Sequence, residues 1–110
     1  MSGNDFTITE DGADAEVSRF VLEGRITSAN VEILQDKLED MAAAGRLHVV
    51  LDMRHVQFLS SGGIRVLLMF HRKFKALGGS FYVESPSDNV KNVLGMTALD
   101  GMLLKPWRKE

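Results

Sequence analysis

Residues 47–53 are nearly continuous in apolar character, and from Ile64 onward apolar side chains return at helical spacing. The first pattern predicts a strand covered on both faces. The second predicts an amphipathic helix with Ile64, Leu67, Leu68, Phe74 and Leu77 on its inner face. A buried strand handing over to a helix points to a sheet with parallel pairs joined by right-handed crossovers. The connecting stretch is Val56-Gln57-Phe58-Leu59-Ser60-Ser61-Gly62-Gly63. Two serines and two glycines therefore stand at a helix N-terminus, where backbone N–H groups lack partners and the dipole leaves about half a positive charge. Ser60 or Ser61 can cap those donors, and Gly62 and Gly63 leave room for a second backbone or a phosphate to approach.

The other elements follow from the same periodicities. Phe6-Thr7-Ile8-Thr9 alternates, turn residues follow at positions 10–14, and residues 15–23 read as a longer strand, so the chain opens with a hairpin. The segment Gly24-Arg25-Ile26-Thr27-Ser28 ends that strand, and Thr27 or Ser28 can cap the next helix. That helix covers residues 29–44, with Val31, Leu34, Leu38 and Met41 on one face and Gly45 as its stop. The helix after the serines ends near Ala76-Leu77-Gly78-Gly79, and Phe81-Tyr82-Val83 is a short strand. Ser85, Pro86 and Asp88 form a helix start, Gly95 a stop, and residues 97–100 start a last short helix. The order β-β-α-β-α-β-α-α predicts a single α/β domain with a four- or five-stranded mixed sheet covered mainly by helices. Residues 47–53 lie inside that sheet. The domain spans residues 1–110, with its core in about 6–104 and a peripheral tail at 105–110, where Trp107 either folds back onto the body or forms an exposed contact.

Several functions are disfavoured. A formal charge of −2 is not that of a nucleic-acid binder, which needs a basic face. The absence of cysteine excludes disulfides and thiolate metal sites. His48, His55 and His71 lack short ligand spacing, so no metal or cofactor is expected. Leu-Ser-Ser-Gly-Gly is not the nucleophile elbow G-x-S-x-G, and the sequence gives no reason for His48, His55 or His71 to face Ser61, so the chain reads as a non-enzyme. No apolar run is long enough to cross a membrane, and the first residues lack the layout of a signal peptide. No membrane insertion and a cytoplasmic location are the expectations.

Asp52, Val56, Phe58, Leu59, Ser60, Ser61, Gly63 and Ile64 together resemble the STAS domain signature, D-x-S-x-V-x-F-[IML]-[DS]-S-[SAT]-G-[LI]. Arg54 stands where a small residue is common, Ser60 where many members have aspartate, and Gly62 where serine, alanine or threonine is usual. The likeness runs from about residue 6 to residue 104. It implies the fold of bacterial anti-sigma factor antagonists and, with it, a regulatory binding protein. The implied partners are an anti-sigma factor with serine-kinase activity and a PP2C-type phosphatase, and the implied phosphoacceptor is Ser61. ATP and magnesium would belong to the kinase. The alternative is a phosphorylation-independent STAS scaffold, sensor or lipid-transporter accessory subunit. From the residues alone, Ser60 and Ser61 remain readable as helix caps only.

The helix after Ser61 carries more apolar surface than one core stripe needs, because Val66, Met69 and Phe70 widen it. Other helices can cover that width, or a partner can. The partner-binding expectation comprises Ser60, Ser61, Gly62, Gly63, Arg65, Val66, Met69 and Phe70, with Met69 adaptable in shape.

Overall fold

The computed structural model describes residues 6–11 and 17–96. The elements are β1 (Phe6–Glu10), β2 (Ser18–Ile26), α1 (Val31–Ala43), β3 (His48–Leu59), α2 (Ser61–Ala76), β4 (Ser80–Glu84) and α3 (Asp88–Met96). The strands form one four-stranded mixed sheet in the order β1-β2-β3-β4. The β1 strand pairs antiparallel with β2 as the expected hairpin, while β2, β3 and β4 run parallel. The apolar run therefore lies inside the sheet. The expected last helix at 97–100, the tail with Trp107 and the hairpin turn at 12–14 lie outside the described residues.

Alternation sends Phe20, Leu22 and Ile26 of β2, Val49, Leu51 and Met53 of β3, and Phe81 and Val83 of β4 into one core. The same cluster takes Leu34 and Leu38 from α1, Phe70 and Phe74 from α2, and Val90 and Leu94 from α3. The Phe74 ring stacks on Phe81 at 5.9 Å between centroids, which ties α2 to the edge strand β4. His71 reinforces that tie: its Nδ1–H donates to the Phe81 carbonyl at 2.9 Å, since a carbonyl can only accept.

The other face of the same strands carries polar groups at the alternate positions. Asp52, with a side chain only 5% exposed, accepts from Arg19 at 2.9 Å and from the Arg54 backbone N–H at 3.1 Å. Arg19 also pairs with Glu84 at 2.8 Å and with Asp11. The hydrogen bond with Glu84 chiefly holds the Arg19 guanidinium above its ordinary pKa, assisted by the nearby carboxylates. Because Asp52 pairs in register with Glu84 of β4, a single arginine from β2 crosses β3 and joins three strands. The signature aspartate is thus a structural anchor.

Four elements differ in their bounds from the sequence reading. The β2 strand starts later and runs on to Ile26, because Gly24 at φ 105° is absorbed between two register shifts instead of ending the strand. The α1 helix has Asn30, not Thr27 or Ser28, at its N-cap. The Asn30 carboxamide turns back instead, accepting from Thr27 N–H and donating to the Arg25 carbonyl, both at 2.8 Å. The third helix is capped by Ser87, whose hydroxyl accepts from Val90 N–H at 3.2 Å, and not by Ser85, which sits at φ 50° in the turn. That helix continues through Gly95 to Met96.

The fourth difference is the length of β3. It outruns β4, which pairs with it only from His48 to Asp52. The carbonyls beyond that point would lack donors on this edge. The start of α3 supplies them: Ser87 N–H donates to Met53 O at 3.1 Å, the Ser87 hydroxyl to Val56 O at 2.6 Å, and the Asn89 amide to Gln57 O at 2.7 Å. This clamp carries β3 forward to deliver Ser60 and Ser61.

Candidate functional site

The β3–α2 junction puts its two serines to different uses. Ser60, at φ −74° and ψ 168°, is the N-cap of α2, and its hydroxyl accepts from Gly63 N–H at 3.1 Å. Its backbone N–H donates to Ile26 O at 2.9 Å, which fixes the junction against the end of β2. Ser61 is the first helical residue and is exposed. Among the described residues its hydroxyl has no hydrogen-bond partner, and neither a histidine nor a carboxylate is bonded to it. The helix that follows carries no acidic residue in its first turn.

The glycines also divide. A Cβ on Gly63 would lie 2.6 Å from Leu59 Cδ1 and 3.1 Å from Ile26 Cγ2, so Gly63 lets α2 sit down on the sheet. A Cβ on Gly62 would meet only Ser60 Oγ, at 3.7 Å. The sequence reading left room at both glycines for a second backbone or a phosphate; at Gly63 that room is taken by side chains of the protein's own core. Gly63→Ala is expected to cost about 1–3 kcal/mol through overpacking. Gly62→Ala should be neutral or gain up to about 1 kcal/mol from helix propensity. Parallel thermal melts check the pair, and equal melting temperatures would show that the packing at Gly63 is not tight.

Gly63, Val66, Leu67, Phe70 and Phe74 form the buried stripe of α2. Val66 is 5% and Phe70 0% exposed, so these two expected partner contacts belong to the core. Met69 remains at the surface, 40% exposed. The expected inner residue Leu77 is instead 47% exposed, because it lies past the last turn of the helix. What α2 presents outward is Ser61, Arg65, Leu68, Met69 and Arg72, at spacings that align along one side of a helix. Leu68 and Arg72 were not among the expected contacts, although their spacing from Ser61 could have identified them. Arg65, Leu68, Met69, Arg72 and Lys73 line a shallow groove of about 480 Å³. A second, polar recess of about 460 Å³ lies elsewhere, among Thr7, Glu23, Gly24, His55 and Gln57. At the end of the sheet, Arg25 lies over the ring of the half-exposed Phe58, 4.8 Å from its centroid.

Among the described residues no three His, Asp or Glu side chains gather to hold a metal, and no helix is long and apolar enough to cross a membrane. The site is a surface: an exposed hydroxyl at a helix N-terminus, followed by a basic and apolar helix side.

Known proteins resemble this chain in sequence or in fold. A protein of Bordetella bronchiseptica, BtrV, provisionally assigned as an anti-sigma factor antagonist, is 31% identical over 72 residues, 66% of this chain and 62% of that protein. The chain thus spans less than two thirds of the length of that relative. An anti-sigma factor antagonist from Mycobacterium paratuberculosis superposes with a TM-score of 0.79 at 24% identity, covering 96% of this chain and 92% of its own. The anti-sigma factor antagonist SpoIIAA in its unphosphorylated form superposes with a TM-score of 0.78 at 17% identity, covering 93% and 90%. These superpositions establish a shared fold. The STAS domain family matches residues 13–109, nearly the whole chain including the serine junction and α2, and the chain belongs to that family.

Proposed function

We propose that this protein is an anti-sigma factor antagonist, switched by phosphorylation of Ser61. Unmodified, it binds an anti-sigma factor that is also a serine kinase and so frees a sigma factor for transcription. Phosphorylation ends the binding, and a PP2C-type phosphatase restores it. The protein is a substrate and a switch, not an enzyme, and it works in the cytoplasm beside its partners. The observation that carries the reading is the division between the serines: Ser60 is committed to Gly63 N–H, while the Ser61 hydroxyl is exposed and, among the described residues, unbonded.

The location suits a phosphate. The modification adds roughly −1.5 to −2 charges, and a helix N-terminus favours negative charge by about 0.3–1 kcal/mol. Arg65 stands one turn on, at the i, i+4 position that allows a side-chain pair. The domain can therefore carry the group without unfolding. The relatives support the same reading, since SpoIIAA is also known in a phosphorylated form that shares the fold, with a TM-score of 0.72 at 17% identity.

Incubation with ATP and the cognate anti-sigma kinase, followed by mass spectrometry of digests, tests the assignment. Wild type and Ser60→Ala should be labelled at Ser61, and Ser61→Ala should not be labelled. Ser60→Ala should also lose about 1 kcal/mol of stability, as a lost cap does, whereas Ser61→Ala should melt close to wild type. Phosphate confined to Ser60, or none with an active kinase, removes the mechanism and favours a STAS module that docks without phosphorylation.

A further inference from the structure

The outward side of α2 has one sign of charge. The helix carries Arg65, Arg72, Lys73 and Lys75 and no acidic residue, in a chain whose formal charge is −2. Lys73 is paired with Glu39 at 2.8 Å. Arg65 and Arg72 are exposed and, among the described residues, make no ion pair. Between them lie Leu68 and the exposed Met69, so two unpaired cations flank an apolar floor. Seven residues of helix separate the arginines by about 10 Å. We propose that this groove docks an acidic segment of the partner protein, with carboxylates about 10 Å apart and an apolar side chain between them. The inference rests on the antagonist reading and names the chemistry of its partner.

The neighbouring helix selects this occupant over a polyanion. The α1 helix packs against α2 and carries Glu32, Asp36, Glu39 and Asp40 against the single cation Lys37, with Glu39 reaching Lys73 at the groove. A membrane or nucleic acid spread across the basic groove would meet that acidic wall and be repelled. A single helix or strand, confined to the groove, would not. Met69 and Leu68 supply adaptable apolar contact, while Arg65 and Arg72 set register through charge.

The test uses the full-length chain, isotope-labelled, titrated with a synthetic helical peptide bearing two glutamates seven residues apart and a leucine midway. Amide shifts should localise to α2 between Arg65 and Lys73. Binding should weaken about fivefold with Arg65→Gln or Arg72→Gln, as loss of one exposed ion pair predicts, and similarly with glutamine in place of the peptide glutamates. Equal binding of the glutamine peptide, or shifts elsewhere, would overturn the proposal. So would larger α2 shifts with phosphatidylserine vesicles or a short DNA duplex. Concentration-dependent shifts on α1 and α2 without peptide would also overturn it, by placing a second copy's acidic helix in the groove. No kinase enters this experiment. Labelling at Ser61 without peptide binding defeats this inference alone, and peptide binding without labelling defeats the switch alone.

Discussion

Ser61→Asp is expected to bind the anti-sigma partner about 100-fold more weakly than wild type while melting within a few degrees of it. The two halves of that expectation have separate causes. Within the monomer, a carboxylate at the first residue of α2 meets unpaired backbone N–H groups and the positive end of the helix, so it is tolerated or mildly stabilising. At the proposed interface the same charge would lose its water and face the proposed acidic docking segment. Like charges brought together at an interface cost several kcal/mol; about 3 kcal/mol corresponds to roughly 100-fold in Kd. Arg65 can also turn to the new carboxylate and withdraw from the partner. Ser61→Ala, which adds no charge, should bind like the unmodified protein and persist in the presence of kinase and ATP. Calorimetric titration with thermal melts of the same samples checks both halves. Loss of binding accompanied by a collapse in melting temperature would mean unfolding, not switching, and wild-type binding by Ser61→Asp would place Ser61 outside the interface.

Gly79→Ala should be among the most damaging single substitutions in the fold, at about 3 kcal/mol or a fall of roughly 12 °C in Tm. A Cβ there would stand 1.8 Å from the Leu47 carbonyl oxygen. That oxygen cannot step aside cheaply, because it accepts the Ser80 N–H at 2.8 Å and begins the β3–β4 pairing. Nor can Gly79 itself, whose N–H donates to Phe74 O at 2.7 Å and closes the end of α2. The neighbouring Gly78 separates close approach from backbone freedom. It sits at φ 89° with open space around it, so Gly78→Ala should cost only about 1 kcal/mol. Thermal melts of both variants decide the matter. If Gly79→Ala melts no lower than Gly78→Ala, the contact with Leu47 is not tight. Because α2 and β4 share this corner, Gly79→Ala should also loosen the helix that presents Ser61 and the groove.

The elements with strong local causes were legible in the chain. The continuous apolar run had to be an interior strand, since either face left in water would expose large side chains. Gly45 ends α1 because a left-handed residue there lets Gly45 and Arg46 N–H groups take the carbonyls of Ala42 and Met41. The strand-to-helix handover placed Ser60 and Ser61 at the end of β3, and spacing alone put Arg65 one turn beyond.

Only the tertiary structure decided the rest. The outer half of β3 was not readable as strand, because Arg54, His55, Gln57 and Phe58 face water and its edge is satisfied by Ser87 and Asn89, some thirty residues later. The same distant contacts moved the α3 cap from Ser85 to Ser87. In α2, apolar residues occupy so much of the circumference that two inward phases fit the periodicity equally. What selected one was steric: the helix approaches Leu59 and Ile26 where only Gly63 leaves room, which turns Val66 and Phe70 inward and Arg65, Met69 and Arg72 out. Local propensity and periodicity therefore determined which segments are strands and helices and where the serines stand. Close packing between segments far apart in sequence determined which side of α2 is free to meet a partner.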